Sequence, residues 1–353
     1  MRKGTAGEAQ ACNGSASGQA HTSHVPSTHR HCLLCGWNPV GFVLDQSSQA
    51  PVLPAPSESR YWIAATLLTL AGLCYWTKVQ WLLTIPWKIL DLKVEIECEC
   101  NRLATAVASQ FGAFERTNVS STSDLRYVIR CDPRHVEDRG SDCCDAALTL
   151  FLLEKRLSID LQLRRSDLLF LHAGALERAG KALLLVGESG AGKSTTTWGL
   201  LHHGFSYLTD ELSPVRSQDL TVYAYPRAIS MKRHPPSDYP LPDSGLLDLG
   251  RTIHIPFDAL PTRQRHREST IAAIFFVQHD PCLSETRARR LGSAEAAARA
   301  YVAALNPLSH PGKGMDAAIW AVRRVPCWAV DASGLASTCE LISDLFQHVP
   351  AQI

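Results

Sequence analysis

Residues 187–194 have the types and spacing of a phosphate-binding loop, reading Gly-Glu-Ser-Gly-Ala-Gly-Lys-Ser. Glycines in such a loop allow consecutive backbone N–H groups to turn inwards around an anion. Lys193 would then contact the β- and γ-phosphates, and the hydroxyl of Ser194 would ligate Mg²⁺. The motif therefore predicts binding of ATP or a similar triphosphate together with Mg²⁺. The predicted nucleotide contacts are Gly187, Glu188, Ser189, Gly190, Ala191, Gly192, Lys193, Ser194 and Thr195.

The residues on either side of this loop predict the strand and the helix that it needs. Residues 181–186 form a short apolar run suited to a buried strand, and residues 195–203 are compatible with a helix that Gly204 ends. This context makes the signal specific for nucleotide binding, although not for one reaction. Transporter ATPases share the loop, but they need an LSGGQ-like signature and an acidic pair far downstream. The sequence has neither, which excludes that class.

Two adjacent carboxylates, Asp210 and Glu211, follow the loop at short range. Asp210 lies 17 residues beyond Lys193, after a short strand predicted over residues 205–209. If that strand lies beside the loop strand, it delivers both carboxylates to the phosphates. One carboxylate can then hold Mg²⁺ while the other accepts a proton from an attacking hydroxyl. The competing interpretation is an ordinary acidic strand end.

His172 is a further candidate, upstream of the loop. A strand over residues 168–171 leads into His172-Ala-Gly, and a turn at residues 179–180 predicts a β-hairpin with the loop strand. The hairpin could place His172 at the catalytic end or at the far side, and the sequence leaves both open. A lone histidine at a strand end is more often structural.

With these residues in place, the chain resembles the HPr kinase/phosphorylase group, in the phosphoenolpyruvate-carboxykinase-like class of P-loop folds. The resemblance rests on His172-Ala-Gly, the loop motif and the stretch from Gly204 to Asp210-Glu211. It covers residues 165–235 well and the rest of the chain loosely. The closest pattern is a divergent branch of HPr-kinase-related proteins, some of which accompany peptide-maturation genes and phosphorylate serine on a peptide.

The resemblance implies roles for individual residues. It makes His172 an active-site residue, Asp210 the general base and Glu211 a metal ligand. HPr kinases carry Asp-Asp at this point, so the two carboxylate roles could be reversed. Residues 225–232 are similar to the Tyr-Pro-(basic)-Pro-Leu-Ser-Leu-Lys stretch of this branch, which implies that Arg227 and Lys232 stabilise the transferring phosphoryl charge. The alternative for these two cations is a solvated surface.

One departure limits the reaction that the resemblance implies. We do not find the glycine-rich signature loop that HPr kinases use for dephosphorylation, so neither phosphorylase activity nor HPr as substrate is expected. The expected activity is transfer of the γ-phosphoryl of ATP to a serine or threonine hydroxyl on a small protein or peptide. The alternatives are a small-molecule kinase on the same fold and a non-catalytic ATP-binding regulatory protein.

Composition and pattern divide the 353 residues into four parts. Residues 1–60 are rich in Ser, Gly, Ala, His and Pro and are expected to be disordered. Residues 61–88 form an apolar segment, long enough from 62 to 85 for a transmembrane helix or for a helix docked on the next domain. Residues 89–165 predict a small α/β lobe. Residues 166–353 predict the P-loop domain, an α/β fold with a mixed sheet and flanking helices.

The charge balance and the cysteines restrict the partners and the compartment. Lys plus Arg (35) almost equals Asp plus Glu (34), so no basic field would attract nucleic acid. The twelve cysteines are scattered, which indicates free thiols in a reducing cytosol instead of a disulfide framework. We therefore expect a cytoplasmic protein, with membrane contact through residues 61–87 as an open alternative. A homo-oligomer is expected only from the resemblance, because HPr kinases are hexamers.

Other elements follow from local pattern. Strands are predicted at residues 92–98, 125–131, 271–277 and 326–330, and helices at 293–305 and 333–349. Residues 146–163 predict a helix, or a helix that runs into a strand. Ser293 is the expected N-cap of its helix, and Asn306-Pro307 its stop.

Overall fold

The computed structural model describes residues 83–118, 122–130, 145–262 and 267–349. The described part of the chain is a mixed α/β structure with flanking helices, which agrees with the predicted class at that level. Residues 1–82, including almost all of the apolar segment and the whole predicted tail, lie outside the described residues. Among the residues that are described, no helix has the length and the apolar character needed to span a membrane.

A four-stranded sheet with two helices forms the first lobe. Its strand order is β3-β1-β2-β4, in which β1 and β2 are an antiparallel hairpin and β4 is parallel to β2. Helices α1 and α2 supply the apolar side chains that cover the sheet, such as Phe111 and Leu157. The elements are β1 (Leu83–Ile89), β2 (Leu92–Cys98), α1 (Asn101–Phe111), β3 (Glu115–Arg116), β4 (Leu125–Ile129) and α2 (Ala146–Arg164).

Strand β1 corrects the prediction for the end of the apolar segment. Residues up to 85 were expected to be helical, but Leu83–Ile89 is a strand that pairs with β2 on one side and β3 on the other. Its Trp87 and Ile89 are fully buried in the lobe core. The apolar run therefore ends as a core strand of the lobe.

An eight-stranded mixed sheet forms the centre of the second part. Its order is β14-β15-β13-β6-β5-β8-β9, with β7 paired to β5. Strands β6, β13 and β15 are parallel, which brings their C-terminal ends to one edge. The strands are β5 (Leu169–Arg178), β6 (Lys181–Val186), β7 (Ser206–Thr209), β8 (Leu212–Arg216), β9 (Thr221–Tyr223), β13 (Glu268–His279), β14 (Arg287–Arg290) and β15 (Cys327–Ala332).

Helices cover both faces of this sheet, so its central strands are apolar almost throughout. Trp198 and Phe346 mark the core on one face, while Ala300 and Val322 mark the core on the other. The helices are α3 (Lys193–His202), α4 (Ser293–Val302), α5 (Met315–Arg324) and α6 (Leu335–Gln347). A small sheet of β10 (Ile229–Met231), β11 (Leu247–Asp248) and β12 (Ile253–Ile255) packs against the α3 face.

Helix α4 differs from its prediction at both ends. Gly292 is the N-cap and makes no side-chain cap hydrogen bond, so Ser293 is the first helical residue and not the cap. The helix ends at Val302 because the next residues bond to strand β5 instead. The carbonyl of Ala303 accepts from the N–H of His172 (2.8 Å), and the N–H of Leu305 donates to the carbonyl of Phe170 (2.8 Å).

Gly199 in α3 faces α6 at a distance that leaves no room for a side chain. A Cβ added there would lie 2.5 Å from Sγ of Cys339 and 2.8 Å from Cδ1 of Leu335. Alanine in an open helix interior would stabilise by about 1 kcal/mol relative to glycine. Overpacking reverses the sign here, so Gly199→Ala is expected to destabilise the protein by about 1–3 kcal/mol. Urea unfolding measures this, and a Gly199→Ala protein as stable as the wild type would contradict the close packing of α3 against α6.

Candidate active site

The phosphate-binding loop connects the end of β6 to the start of α3. Gly190 and Gly192 have φ values of +90° and +94°, a region that residues with a Cβ rarely adopt. Gly187 is needed for space, because a Cβ there would lie 2.6 Å from the carbonyl oxygen of Val277. Gly192 is the N-cap of α3 and makes no side-chain cap hydrogen bond. The loop thus presents backbone N–H groups at a helix N-terminus, an arrangement that favours an anion.

Lys193 lies at the first position of α3 and is only 7% exposed. Its Nζ donates to the carbonyl oxygens of Gly187 (2.8 Å) and Glu188 (3.1 Å) within the same loop. Burial lowers the pKa of the Lys193 ammonium, while the carboxylates of Glu211 and Asp210 raise it. The side chain is therefore held over the loop, close to where phosphate oxygens would bind.

Asp210 follows β7, which lies in a different place from the one predicted. Strand β7 pairs with β5 and not with the loop strand β6, because β5 lies between them in the sheet. Asp210 nevertheless reaches the loop: its Oδ2 accepts from Oγ of Ser194 (3.2 Å), and its Oδ1 accepts from the hydroxyl of Tyr207 (3.1 Å). The side chain is fully buried. Burial raises its pKa, and the guanidinium of Arg227 acts in the opposite direction.

Glu211 differs from its neighbour in exposure. Its side chain is 56% exposed, with Oε2 2.5 Å from Nη2 of Arg227 and Oε1 3.9 Å from Nε2 of His172. The guanidinium of Arg227 lowers the pKa of Glu211 despite some opposing desolvation. Glu211 is therefore an ionised carboxylate open to solvent, whereas Asp210 is enclosed against the loop serine.

The hairpin places His172 at the end of β5 that lies beside the phosphate-binding loop, which decides the question of position that the sequence left open. The antiparallel register of β5 and β6 pairs Ala173 with Val186, the last residue before the loop. The His172 ring is about a third exposed. Burial lowers its pKa and the nearby Lys193 lowers it further, whereas Glu211 raises it. His172 is thus biased towards the neutral form beside Glu211.

Arg227 is buried at the centre of three carboxylates. Nη2 contacts Glu211 and lies 3.4 Å from Oδ1 of Asp210, while Nη1 lies 3.3 Å from Oε1 of Glu154. The carbonyl of Arg227 accepts from the hydroxyl of Tyr207 (3.0 Å). The solvated-cation alternative is therefore wrong for Arg227. Lys232, by contrast, is exposed, and its Nζ donates to Oγ of Ser189 (3.3 Å) at the rim of the loop.

Glu154 is a site residue that the sequence reasoning missed. It belongs to α2 of the first lobe, and its side chain is 20% exposed. Burial raises its pKa to about 7, Arg227 lowers it, and Glu211 and Asp210 raise it further. The sequence feature that could have identified Glu154 is its place on the buried side of α2, since Leu150, Leu153 and Leu157 surround it at helical spacing.

The donor set beside the loop fits Mg²⁺. This hard cation is usually bound by one or two carboxylates together with phosphate oxygens and waters. Ser194 and Asp210 supply a hydroxyl and a carboxylate that already face each other, and Glu211 is the next oxygen donor. Within the described ranges, no cluster of three or more His, Cys, Asp or Glu side chains forms a metal site by itself. A bound triphosphate would therefore have to complete the coordination.

The other residues of the loop differ in exposure. Glu188 and Ser189 are exposed at the loop tip, and Ala191 is buried with its carbonyl accepting from the N–H of His279 (3.2 Å). Thr195 is half-buried in the first turn of α3. The contact from His279 ties the loop to the end of the parallel strand β13.

Comparisons with known proteins give a weak relationship. No protein-family model matches the chain, and no curated protein matches its sequence. Among solved structures, the chain is similar to the Hpr(Ser) kinase/phosphatase from Coxiella burnetii, at 15% identity and a TM-score of 0.28. That match covers 50% of this chain and 88% of the other. A likeness of this size supports no statement about activity, so we take the function from the geometry of the site.

Proposed function

We propose that the protein is an ATP-dependent phosphotransferase that moves the γ-phosphoryl group to a serine or threonine hydroxyl on a small protein or peptide. The observation that supports this best is the meeting of the loop with the acidic pair, through the 3.2 Å contact of Ser194 with Asp210. A phosphate-binding loop alone would support only nucleotide binding. Beside the loop lie two carboxylates, a histidine and an arginine, which can supply the metal ligand, base and positive charge that phosphoryl transfer needs.

The loop and Lys193 bind the triphosphate. The N–H groups at the start of α3 and the turn at Gly190 provide fixed donors. Lys193 exchanges its two loop carbonyl partners for phosphate oxygens, which replaces neutral acceptors by charged ones. This exchange needs no movement of the backbone, because the side chain is already over the loop.

The two carboxylates have different roles in the proposed mechanism. We assign Asp210 to the metal side together with Ser194, because it is buried against that hydroxyl. Bound Mg²⁺ would neutralise charge on the phosphate oxygens. Glu211 is then the base, because it is the exposed carboxylate and lies beside His172. This reverses the allocation that the family resemblance implies.

In the transfer step, one bond to the γ-phosphorus forms as another breaks. Glu211 accepts the proton of the acceptor hydroxyl, whose oxygen forms a bond to the γ-phosphorus. The bond from that phosphorus to the bridging oxygen breaks, and its electron pair leaves with ADP. A loose transition state demands little proton transfer, so a carboxylate with a lowered pKa suffices for positioning the hydroxyl. Arg227 and Lys232 supply positive charge near the transferring group.

The position of the base favours a macromolecular acceptor. Glu211 is 56% exposed, and the neighbouring Lys232, Arg233 and His234 are also exposed. A hydroxyl on a protein loop or a peptide can approach a carboxylate that is open to solvent. A small-molecule kinase would enclose its acceptor to exclude water.

A labelling experiment with the full chain tests this function. Incubation with γ-labelled ATP, Mg²⁺ and a lysate of the source organism is expected to label a low-mass protein or peptide. The same reaction with α-labelled ATP is expected to label nothing, which separates phosphoryl transfer from nucleotidyl transfer. Ser194→Ala should reduce the γ-label by about a hundredfold, because Mg²⁺ loses a ligand. ATP binding without any transferred label would instead favour a regulatory nucleotide-binding protein.

A further inference from the structure

Glu154 connects the first lobe to the proposed active site. It is the side chain of α2 that reaches Arg227, 73 residues further along the chain, at 3.3 Å. The apolar core of the lobe continues in the same direction, since it also includes Phe170, Leu212 and Tyr225 of the second part. The contact therefore lies within packed structure and not across an open cleft.

The charges around Arg227 do not balance. One guanidinium faces the carboxylates of Glu154, Asp210 and Glu211, so two of them already exceed its charge. A third carboxylate at a largely buried position costs desolvation that its attraction to Arg227 recovers only in part. This cost is visible in the pKa of Glu154, which burial raises to about 7. Stability alone thus gives a poor reason for a glutamate at this position.

We propose that Glu154 is a positioning residue for phosphoryl transfer, which anchors Nη1 of Arg227 so that Nη2 alone serves Asp210 and Glu211. The proposal rests on the proposed function. Arginine is a planar fork that binds a carboxylate best through two parallel N–H groups. Without a partner on Nη1, Arg227 could turn to grip Glu211 or Asp210 with both nitrogens. That grip would take the base or the metal ligand out of use.

The proposal predicts a change in rate rather than in nucleotide binding. Glu154→Gln keeps the size of the side chain, but it replaces the charged acceptor for Nη1 of Arg227 by a neutral and weaker one, which loosens the anchor. It is expected to lower kcat by about tenfold to a hundredfold, the scale of a misplaced catalytic group. KM for ATP should change by less than about threefold, because the loop and Lys193 are untouched. Glu154→Asp should recover part of the rate, since it restores the charge at a greater distance.

The pH dependence gives a second signature. Because burial raises the pKa of Glu154, its removal should change how the stability of the protein depends on pH. The titratable or charged groups that face this cluster from the elements around it are Tyr207, Asp210 and Glu211 near β7, Tyr225 and Arg227 before β10, His172 on β5, Lys193 on α3, Lys232 after β10 and His254 on β12.

Asp160→Asn is the matched control. Asp160 is on the same helix, is largely buried, and accepts from the hydroxyl of Tyr127 (2.8 Å) and from Nε of Arg156 (2.9 Å), but it does not contact Arg227. If Glu154 serves only to hold the lobe together, both variants should lose rate and stability alike. If it positions Arg227, only the Glu154 variants should change kcat for transfer of the γ-label from ATP with Mg²⁺.

A stability measurement separates this proposal from the proposed function. The raised pKa means that folded Glu154 binds a proton between about pH 4.5 and 7 while the unfolded chain does not, so its contribution to stability falls as pH rises through that window. The Tm of Glu154→Gln minus that of the full wild-type chain should therefore increase from pH 5 to pH 8. If the wild-type chain shows no turnover, the phosphotransferase proposal is wrong, but the difference in Tm between the two proteins can still be interpreted. Unchanged kcat in an active Glu154→Gln would overturn the positioning role of Glu154, and a Tm difference independent of pH would contradict the burial of its carboxyl beside Arg227.

Discussion

Replacing Lys193 by alanine is expected to reduce phosphoryl transfer from ATP by about a thousandfold, the scale of losing a principal charge contact to the transition state. Lys193 is 7% exposed, and its Nζ is held within hydrogen-bonding distance of two carbonyl oxygens of the loop. In such an enclosed place a positive charge acts more strongly on phosphate oxygens than it does in water. ATP affinity should fall as well, because the ground state also loses this contact.

Lys232→Ala is the matched comparison for that variant. Lys232 also reaches the loop, but it is exposed and contacts the side chain of Ser189 and not the backbone. Solvent screens its charge, so its removal should cost no more than about tenfold. The measurement is kcat/KM for ATP at two salt concentrations. Equal losses in Lys193→Ala and Lys232→Ala would contradict the assignment of Lys193 as the main phosphate contact.

The parts of this site that are close in sequence could be predicted, because local pattern determines them. The loop, the strand before it and the helix after it depend on residues 181–203, and they form the predicted strand–loop–helix unit. The turn at Ala179 and Gly180 likewise produced the predicted hairpin. In both cases the glycines and the apolar runs constrain the backbone without help from distant residues.

Other features depend on pairings that local pattern does not contain. Whether His172 reached the loop end of the hairpin depended on the register of β5 against β6, which places Ala173 opposite Val186. Strand β7 was expected beside β6, but β6 pairs with β5 on one side and with β13 on the other. The end of the apolar segment is the lobe strand β1, since its Trp87 and Ile89 fill the core beside α1. Each outcome requires knowledge of a partner strand.

Glu154 shows why the site could not be completed from sequence. Its neighbours on α2 predict a core-facing helix, and nothing nearby in the chain indicates Arg227. The association arises because the lobe packs its apolar core onto Phe170 and Tyr225. Only the folded structure brings that glutamate within 3.3 Å of the guanidinium.

The second large effect concerns Asp210 and Glu211, whose substitutions should impair phosphoryl transfer in different ways. Glu211→Gln is expected to lower kcat by about a hundredfold to ten-thousandfold, the range for loss of a positioned base, with ATP binding nearly unchanged. Asp210→Asn should also lower transfer, but chiefly by raising the Mg²⁺ concentration needed for half-maximal rate. The physical reason is their surroundings: Asp210 is enclosed against Ser194, whereas Glu211 is 56% exposed beside His172.

A titration of Mg²⁺ for the wild type and both variants distinguishes these outcomes. If Asp210 holds the metal, excess Mg²⁺ should restore part of the rate in Asp210→Asn and none of it in Glu211→Gln. The opposite pattern, with Glu211→Gln rescued by Mg²⁺, would return the base to Asp210 as the family resemblance implies. The raised pKa of Asp210 gives an independent check, since a metal ligand must lose its proton. The Mg²⁺ requirement of the wild type should therefore increase as pH falls, because protonated Asp210 cannot coordinate the ion.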